Sequence, residues 1–222
     1  MHLNFNDKFD EFVDEYEASI GYSNYSDITY PERSYEKQIR IRVCIDDEVV
    51  GFMHMNAYDI QDIEDDGEEV FDIMDDEDVD QSVAGYVIKE HIDDKYDEIL
   101  EEIWEAGVAD ARLHAIYVST VFVDPKYRGC GIGRFLWENY EKVLYHNGIL
   151  PIISAVVVRP QIWEEESFKD NLDSPEMAKH MTDVIIKNGF IKAKTEKDCV
   201  FYKFIDAFLL TDEDMYDEDD DY

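Results

Sequence analysis

Apolar residues recur along the chain with two different periods, and the period decides which element each stretch predicts. Ile39-Arg40-Ile41-Arg42-Val43-Cys44-Ile45 alternates, and Val49-Val50-Gly51-Phe52-Met53-His54-Met55 is a second strand-like run; the turn residues Asp46-Asp47-Glu48 between them predict a hairpin. A further alternating run ends at Val123. Alternation there places Tyr117, Ser119, Val121 and Val123 on one face, and His114, Ile116, Val118, Thr120 and Phe122 on the other. The period then changes. Leu136, Tyr140, Val143 and Leu144 lie at helical spacing, and Asn147-Gly148 predicts the helix end. Ile152-Ile153-Ser154-Ala155-Val156-Val157-Val158 is too short for a membrane span and too β-branched for a helix, so it predicts a buried strand. Ser174 and Pro175 open another helix with Met177, Met181, Val184 and Ile185 on one side and Gly189-Phe190 at its end, followed by two short strands near 191–194 and 199–205. Phe5, Phe9, Phe12, Val13 and Tyr16 predict an amphipathic N-terminal helix, and Ile88, Ile92, Ile99 and Ile103 a helix over about 82–106 that Gly107 stops.

The strand ending at Val123 runs into Asp124-Pro125-Lys126-Tyr127-Arg128-Gly129-Cys130-Gly131-Ile132-Gly133-Arg134, a tight glycine-rich turn that opens the helix beyond. Such a turn aims backbone N–H groups at an anion, and the helix adds the positive end of its dipole. Two nucleotide motifs are excluded. A P-loop requires Lys and then Ser or Thr after its last glycine, where this chain has Arg134 and Phe135; the dinucleotide fingerprint requires a G-x-G-x-x-G spacing, whereas Gly129, Gly131 and Gly133 alternate. What remains is Arg-x-x-Gly-x-Gly, carried by Arg128, Gly131 and Gly133. With Val-Asp-Pro-x-Tyr-Arg-Gly before it and an amphipathic helix after it, this stretch resembles motif A of the GCN5-related N-acetyltransferases (GNAT). The order of the flanking elements fits the same family over roughly 39–57 and 111–205.

The resemblance implies an α/β GNAT fold, a mixed and mostly antiparallel central sheet flanked by helices, as a single domain over 1–210 with an acidic, helical insertion at 58–110. It implies acetyl-coenzyme A as co-substrate and an amine as acceptor. The pyrophosphate falls to Arg128, Gly129, Cys130, Gly131, Ile132, Gly133 and Arg134, and the pantetheine to the strand backbone around Phe122 and Val123. Family members often carry a Glu or His base at the position of Tyr117, a residue that here either orients a water or the amine, or simply packs. Tyr117 and Ser119 on the strand and Ser154 on the next one are the catalytic candidates. His54 on the preceding strand is within reach of the cleft. The family's usual thiolate acid, a Tyr four residues before the Gly-Phe glycine, is replaced by Ile185, so Ser154, Tyr202 or water must serve; 159–173 resemble an insertion. A catalytically weakened coenzyme A-binding module and an acidic protein that engages a basic partner are the competing readings.

Charge sharpens this picture. The formal net charge is -35, with thirteen acids and no Lys or Arg between 59 and 80, and eight acids between 211 and 222. That balance argues against nucleic acid, which needs a basic patch, and favours a cationic acceptor. The acidic stretch 59–80 is expected to be a solvated loop and 211–222 a disordered tail. Asp62, Glu64, Asp66 and Gly67 imitate a calcium loop, but Ile73 stands where its bidentate Glu belongs, so no metal site is expected. Cys44, Cys130 and Cys199 lack paired spacing and predict reduced thiols. No apolar run approaches the ~20 residues of a membrane span, and the acidic, polar first fourteen residues do not resemble a signal peptide, so a cytoplasmic protein is expected. A homodimer is left open.

Overall fold

The computed structural model describes residues 18–25, 35–45, 48–75, 79–92, 95, 96, 98, 99, 101, 112–158, 175–195 and 199–206. The expected N-terminal helix, the 159–173 insertion, Ile103, Gly107 and the 211–222 tail lie outside them. Among the described residues seven strands form one mixed sheet: β1 (Ala18–Tyr25), β2 (Glu36–Ile45), β3 (Glu48–Asp59), β4 (Leu113–Val123), β5 (Leu150–Val157), β6 (Ile191–Lys192) and β7 (Val200–Phe204), in the order β1-β2-β3-β4-β5-β7-β6. Every pairing is antiparallel except β4 with β5. The hairpin, the buried β5 and the two last strands match their sequence patterns. β1 has no counterpart there; its alternation, Ala18, Ile20 and Tyr22 between Ser19, Gly21 and Ser23, is short and breaks at Asn24-Tyr25.

Helix α4 (Ile132–His146) covers one face of the sheet, burying Ile132, Phe135, Leu136, Trp137, Tyr140 and Leu144 against Ile39, Ile41, Val43, Met53, Met55, Ile116 and Val118. It ends as expected. Gly148 turns left-handed (φ 77°), and the N–H of Ile149 reaches back to the Leu144 carbonyl at 3.0 Å. Helix α5 (Pro175–Lys187) joins the same core through Met181, Val184 and Ile185.

The opposite face carries a second core, and here the structure departs from expectation. Residues 60–75 are not a solvated loop. They fold as α1 (Ile60–Asp65) and α2 (Val70–Asp75), followed by α3 (Val79–Ile92); beyond it Tyr96, Glu98, Ile99 and Glu101 are again helical, and most of the rest of the helix expected over 82–106 lies outside the described residues. Ile60, Ile63, Val70, Ile73 and Met74 recur at helical spacing among the acids, and each is buried against Tyr58, Leu113, Ala115 and Tyr117. Burying a side chain of that size is worth about 1.5–3 kcal/mol. Repulsion among exposed carboxylates is screened by water and much weaker, so burial wins. Two of the acids also have structural work: Asp59 accepts from the Asp62 N–H to cap α1, and Arg112 donates to Asp59 at 3.0 Å and to Asp62 at 2.5 Å, tying α1 to the start of β4.

Candidate active site

β4 is paired on both sides only for part of its length. Its parallel pairing with β5 ends at Val118 opposite Val156, yet it continues along β3 to Val123 opposite Gly51. The two parallel strands therefore part at Ser119. Ser119 is also the extra residue of a β-bulge, since His54 pairs with Thr120 and Met55 with Val118; its hydroxyl donates to the His54 carbonyl at 3.2 Å.

The bulge corrects the expected faces. A single extra residue reverses the alternation beyond it. Val121 and Val123 thus share the α4 face with Val118 and Ile116, while Tyr117 shares the opposite face with Thr120 and Phe122. Alternation of hydrogen bonding also follows. The Asp124 N–H bonds the Val50 carbonyl at 2.9 Å, so every second residue back turns toward β3, and Val121 and Val123 turn their backbone groups to the side from which β5 has diverged.

Beyond Val123 the chain is held by local bonds. Asp124 accepts from the Lys126 N–H at 2.8 Å and opens a single 3₁₀ turn, Pro125–Tyr127, which the buried Tyr127 ring anchors. Arg128 donates from Nε to the Val123 carbonyl at 3.1 Å. Gly129 and Gly131 have φ of 81° and 96°, a region that side chains strain to enter. Gly131 is the N-cap of α4 and offers no side-chain cap, and the first helical bond runs from Phe135 to Gly131. The N–H groups of Ile132, Gly133 and Arg134 therefore point out of the helix start uncapped. A Cβ on Gly133 would meet only Val123 Cγ2, at 3.6 Å, so the space in front of the turn is left to a ligand. These features fit the diphosphate and pantetheine of coenzyme A.

The remaining candidates are distributed unequally. Cys130 is buried in the core beside Ile132, so its backbone alone faces the turn, and the Arg134 side chain is paired with Glu138 at 2.6 Å. Tyr117 is buried in the second core, 4% exposed. Ser154 is fully buried and accepts a 3.0 Å hydrogen bond from Tyr140. Tyr202 stacks on His91 at 4.0 Å, and Ile185 packs in the α4 core. Only Ser119 lies where β4 and β5 part.

Sequence reasoning names His54 as within reach of the cleft but passes over Gly51, Phe52 and Arg40 around it. Gly51 sits under the first turn of α4, where a Cβ would come within 2.6 Å of Ile132 Cγ2. On the face turned from α4, His54 lies between Arg40 and Thr120 in neighbouring strands, and Phe52 lies between Arg42 and Phe122. Phe52 stacks on Phe122 (5.1 Å) and on the His54 ring (4.6 Å), and the Arg40 guanidinium lies 4.3 Å above the Phe52 ring. Burial, helped by Arg40, lowers the His54 pKa to about 4, so the ring is neutral at pH 7, and its buried Nε2 has no hydrogen-bond partner among the described residues. The signal was present: in β2 and β3 the positions between the buried apolar ones are Arg40, Arg42, Phe52 and His54.

Residues 6–162 match the family model of the acetyltransferase (GNAT) family. No curated protein matches the chain. Solved structures with a similar fold include Arabidopsis thaliana NAA60 in complex with acetyl-CoA, at 11% identity and a TM-score of 0.41 over 84% of this chain and 100% of that one. AtaT complexed with acetyl-methionyl-tRNAfMet aligns at 9% identity and 0.39 over 87% and 99%. Drosophila melanogaster polyamine N-acetyltransferase, which forms N-acetylagmatine, aligns at 9% and 0.37 over 75% and 74%.

Proposed function

Because the chain belongs to the GNAT acetyltransferase family, whose co-substrate is acetyl-coenzyme A, we propose that it is an N-acetyltransferase acting on an amine through the cleft where β4 leaves β5. The observation that carries this reading is the uncapped start of α4 at Gly131, set directly beyond the open edge of β4. The N–H groups of Ile132, Gly133 and Arg134 hold the diphosphate, helped by the Arg128 charge, and Val121 and Val123 offer their backbone to the pantetheine arm. When bound, acetyl-coenzyme A supplies the activated acetyl group near Ser119. The acceptor arrives from the face turned from α4, since α4 and the residues around Val118 and Met53 fill the other.

An ammonium of pKa ~10.4 must shed its proton to react. That first proton passes to water before attack; His54, neutral at pH 7, then accepts the second N–H proton from the amine nitrogen once the new C–N bond makes it strongly acidic. Ser119 holds the bulge that sets His54 and Thr120 side by side. Tyr117 supports that strand from within the second core, and Ser154 locks β5 to α4. The free thiols Cys44, Cys130 and Cys199 suit a reducing, cytoplasmic setting, and a charge of -35 argues against a nucleic-acid acceptor. Thiol release from acetyl-coenzyme A across a panel of amines, with mass spectrometry of the products, tests the proposal; the expected product is an N-acetylated amine. Ile185 in place of a hydroxyl favours one second reading, a coenzyme A-binding module, which stabilisation by acetyl-coenzyme A without any thiol release would establish.

A further inference from the structure

The face of the sheet turned from α4 is divided in two. One half is covered by α1, α2 and α3. In the other half Arg40, Arg42, Phe52, His54 and Phe122 belong to no core cluster, although all five are partly buried. The Nε atoms of Arg40 and Arg42 are both buried without a hydrogen-bond partner, and neither guanidinium has an ion-pair partner among the described residues. That is unusual in a chain with 55 carboxylates against 20 Lys and Arg. A guanidinium whose Nε is desolvated with no acceptor is costly, and a carboxylate nearby on the sheet would have relieved it. The neighbouring strand positions that could supply one are instead Gly21 and Ser23 in β1, Phe52 and His54 in β3, and Thr120 and Phe122 in β4.

Resting on the acetyltransferase reading above, we infer that Arg40 and Arg42 form an acceptor subsite for an anionic group, so that the amine substrate also carries a carboxylate or a phosphate ester. Position supports this. Arg40, His54 and Thr120 lie in one row across β2, β3 and β4, with strands about 4.8 Å apart, and Ser119 adjoins the end of that row. An arginine side chain on β2 and an amine at Ser119 are therefore separated by the length of a small metabolite, not of a long polyamine. The Phe52 ring holds the Arg40 guanidinium in place from below, which leaves its planar fork free for two parallel bonds to an oxyanion. The exposed acids of α1 and α2 then draw in the ammonium end while the arginines fix the anionic end, a division that orients the substrate.

Matched acceptors test the subsite: leucine against leucinamide for a carboxylate, and phosphoethanolamine against ethanolamine for a phosphate. In the wild-type protein the anionic member of one pair should have the higher kcat/KM by ~10-fold or more, and whichever pair shows it identifies the anion. Arg40→Gln and Arg42→Gln should reduce that preference to within about twofold when combined, with Arg40→Lys restoring part of it; retained stabilisation by acetyl-coenzyme A certifies that the variants fold. Equal use of both members, a preference for the uncharged member, or a preference that survives the double substitution would overturn the inference. Calorimetry of N-acetylleucine against N-acetylleucinamide, with coenzyme A present, separates the two levels. Should no amine be acetylated, the transferase reading fails, while carboxylate-selective binding that Arg40→Gln and Arg42→Gln abolish would still uphold the subsite, and its absence would remove it.

Discussion

The two halves of β4 have the same backbone and opposite duties. From Leu113 to Val118 every residue is buried, β3 and β5 pair on either side, and helices cover both faces; from Ser119 to Val123 every residue is half-buried, and β5 is gone from one edge. The first half has its hydrogen bonds and apolar contacts satisfied within the protein, which makes it a support. The second half has no described strand on one edge and no described helix on one face, and we read it as the site. One bulge at Ser119 separates them. A strand can be both rigid and receptive when its pairing is withdrawn partway along, because the paired half fixes the geometry of the open half.

Substitutions in the two halves should therefore fail in different ways. The largest effect is expected at the turn that the open half feeds. Gly133→Trp places a ring in front of the uncapped N–H groups and should eliminate stabilisation by acetyl-coenzyme A, which in the wild-type protein reaches ~2.7 kcal/mol at a hundredfold excess over Kd. Ile116→Ala in the paired half should cost ~2–5 kcal/mol of global stability, with the increment from acetyl-coenzyme A intact; both are read by thermal or urea melts with and without ligand. A loss of that increment in Ile116→Ala would show that the halves are not separable.

Gly51→Ala should fall between them. Its Cβ would meet Ile132 Cγ2 at 2.6 Å and the Phe122 carbonyl at 3.3 Å, so it both overpacks the core, at ~1–3 kcal/mol, and pushes the start of α4 out of register with β4. Weakened acetyl-coenzyme A binding in a protein that still folds is the expected result, and titration calorimetry measures it.

The two histidines offer a subtler contrast. His54 in the open half and His114 in the paired half both ionise at about 4 in place of 6.5, each because burial penalises the cation; Arg40 adds to this at His54, and at His114 Asp59 opposes it while Lys37 and Arg112 add to it. A lowered folded pKa means that the native state binds fewer protons than the unfolded chain. Stability is then full above pH 6.5 and falls as the pH drops toward 4. His114→Gln and His54→Gln should each flatten that dependence by up to one proton. Urea titrations at pH 7 and pH 5 give the slopes. The smallest effect is expected from removing residues 211–222, whose eight acids have little apolar surface to bury; acetyl-coenzyme A affinity should be unchanged, and a marked loss would make the tail part of the site.

What the sequence determined by itself is what neighbouring residues impose on one another. The glycine turns at Gly129, Gly131, Gly148 and Gly189, the amphipathic α4 and the largely apolar β5 are local consequences of their residues, and all were legible. So was the loop that the proposed site uses. Tertiary structure decided the rest, because each remaining feature depends on a partner far along the chain. The bulge at Ser119 exists only in register with β3, fifty or more residues away, and it alone determines that Tyr117 and Val121 face opposite ways. The acidic stretch folds because Ile63, Ile73 and Met74 find Tyr58, Leu113 and Ala115 to bury against, an affinity that a count of its carboxylates conceals. His54 was legible as a residue near the cleft, but Arg40, Arg42 and Phe52 gain a place beside it only when β4 is laid against the hairpin, where they line the cleft proposed above.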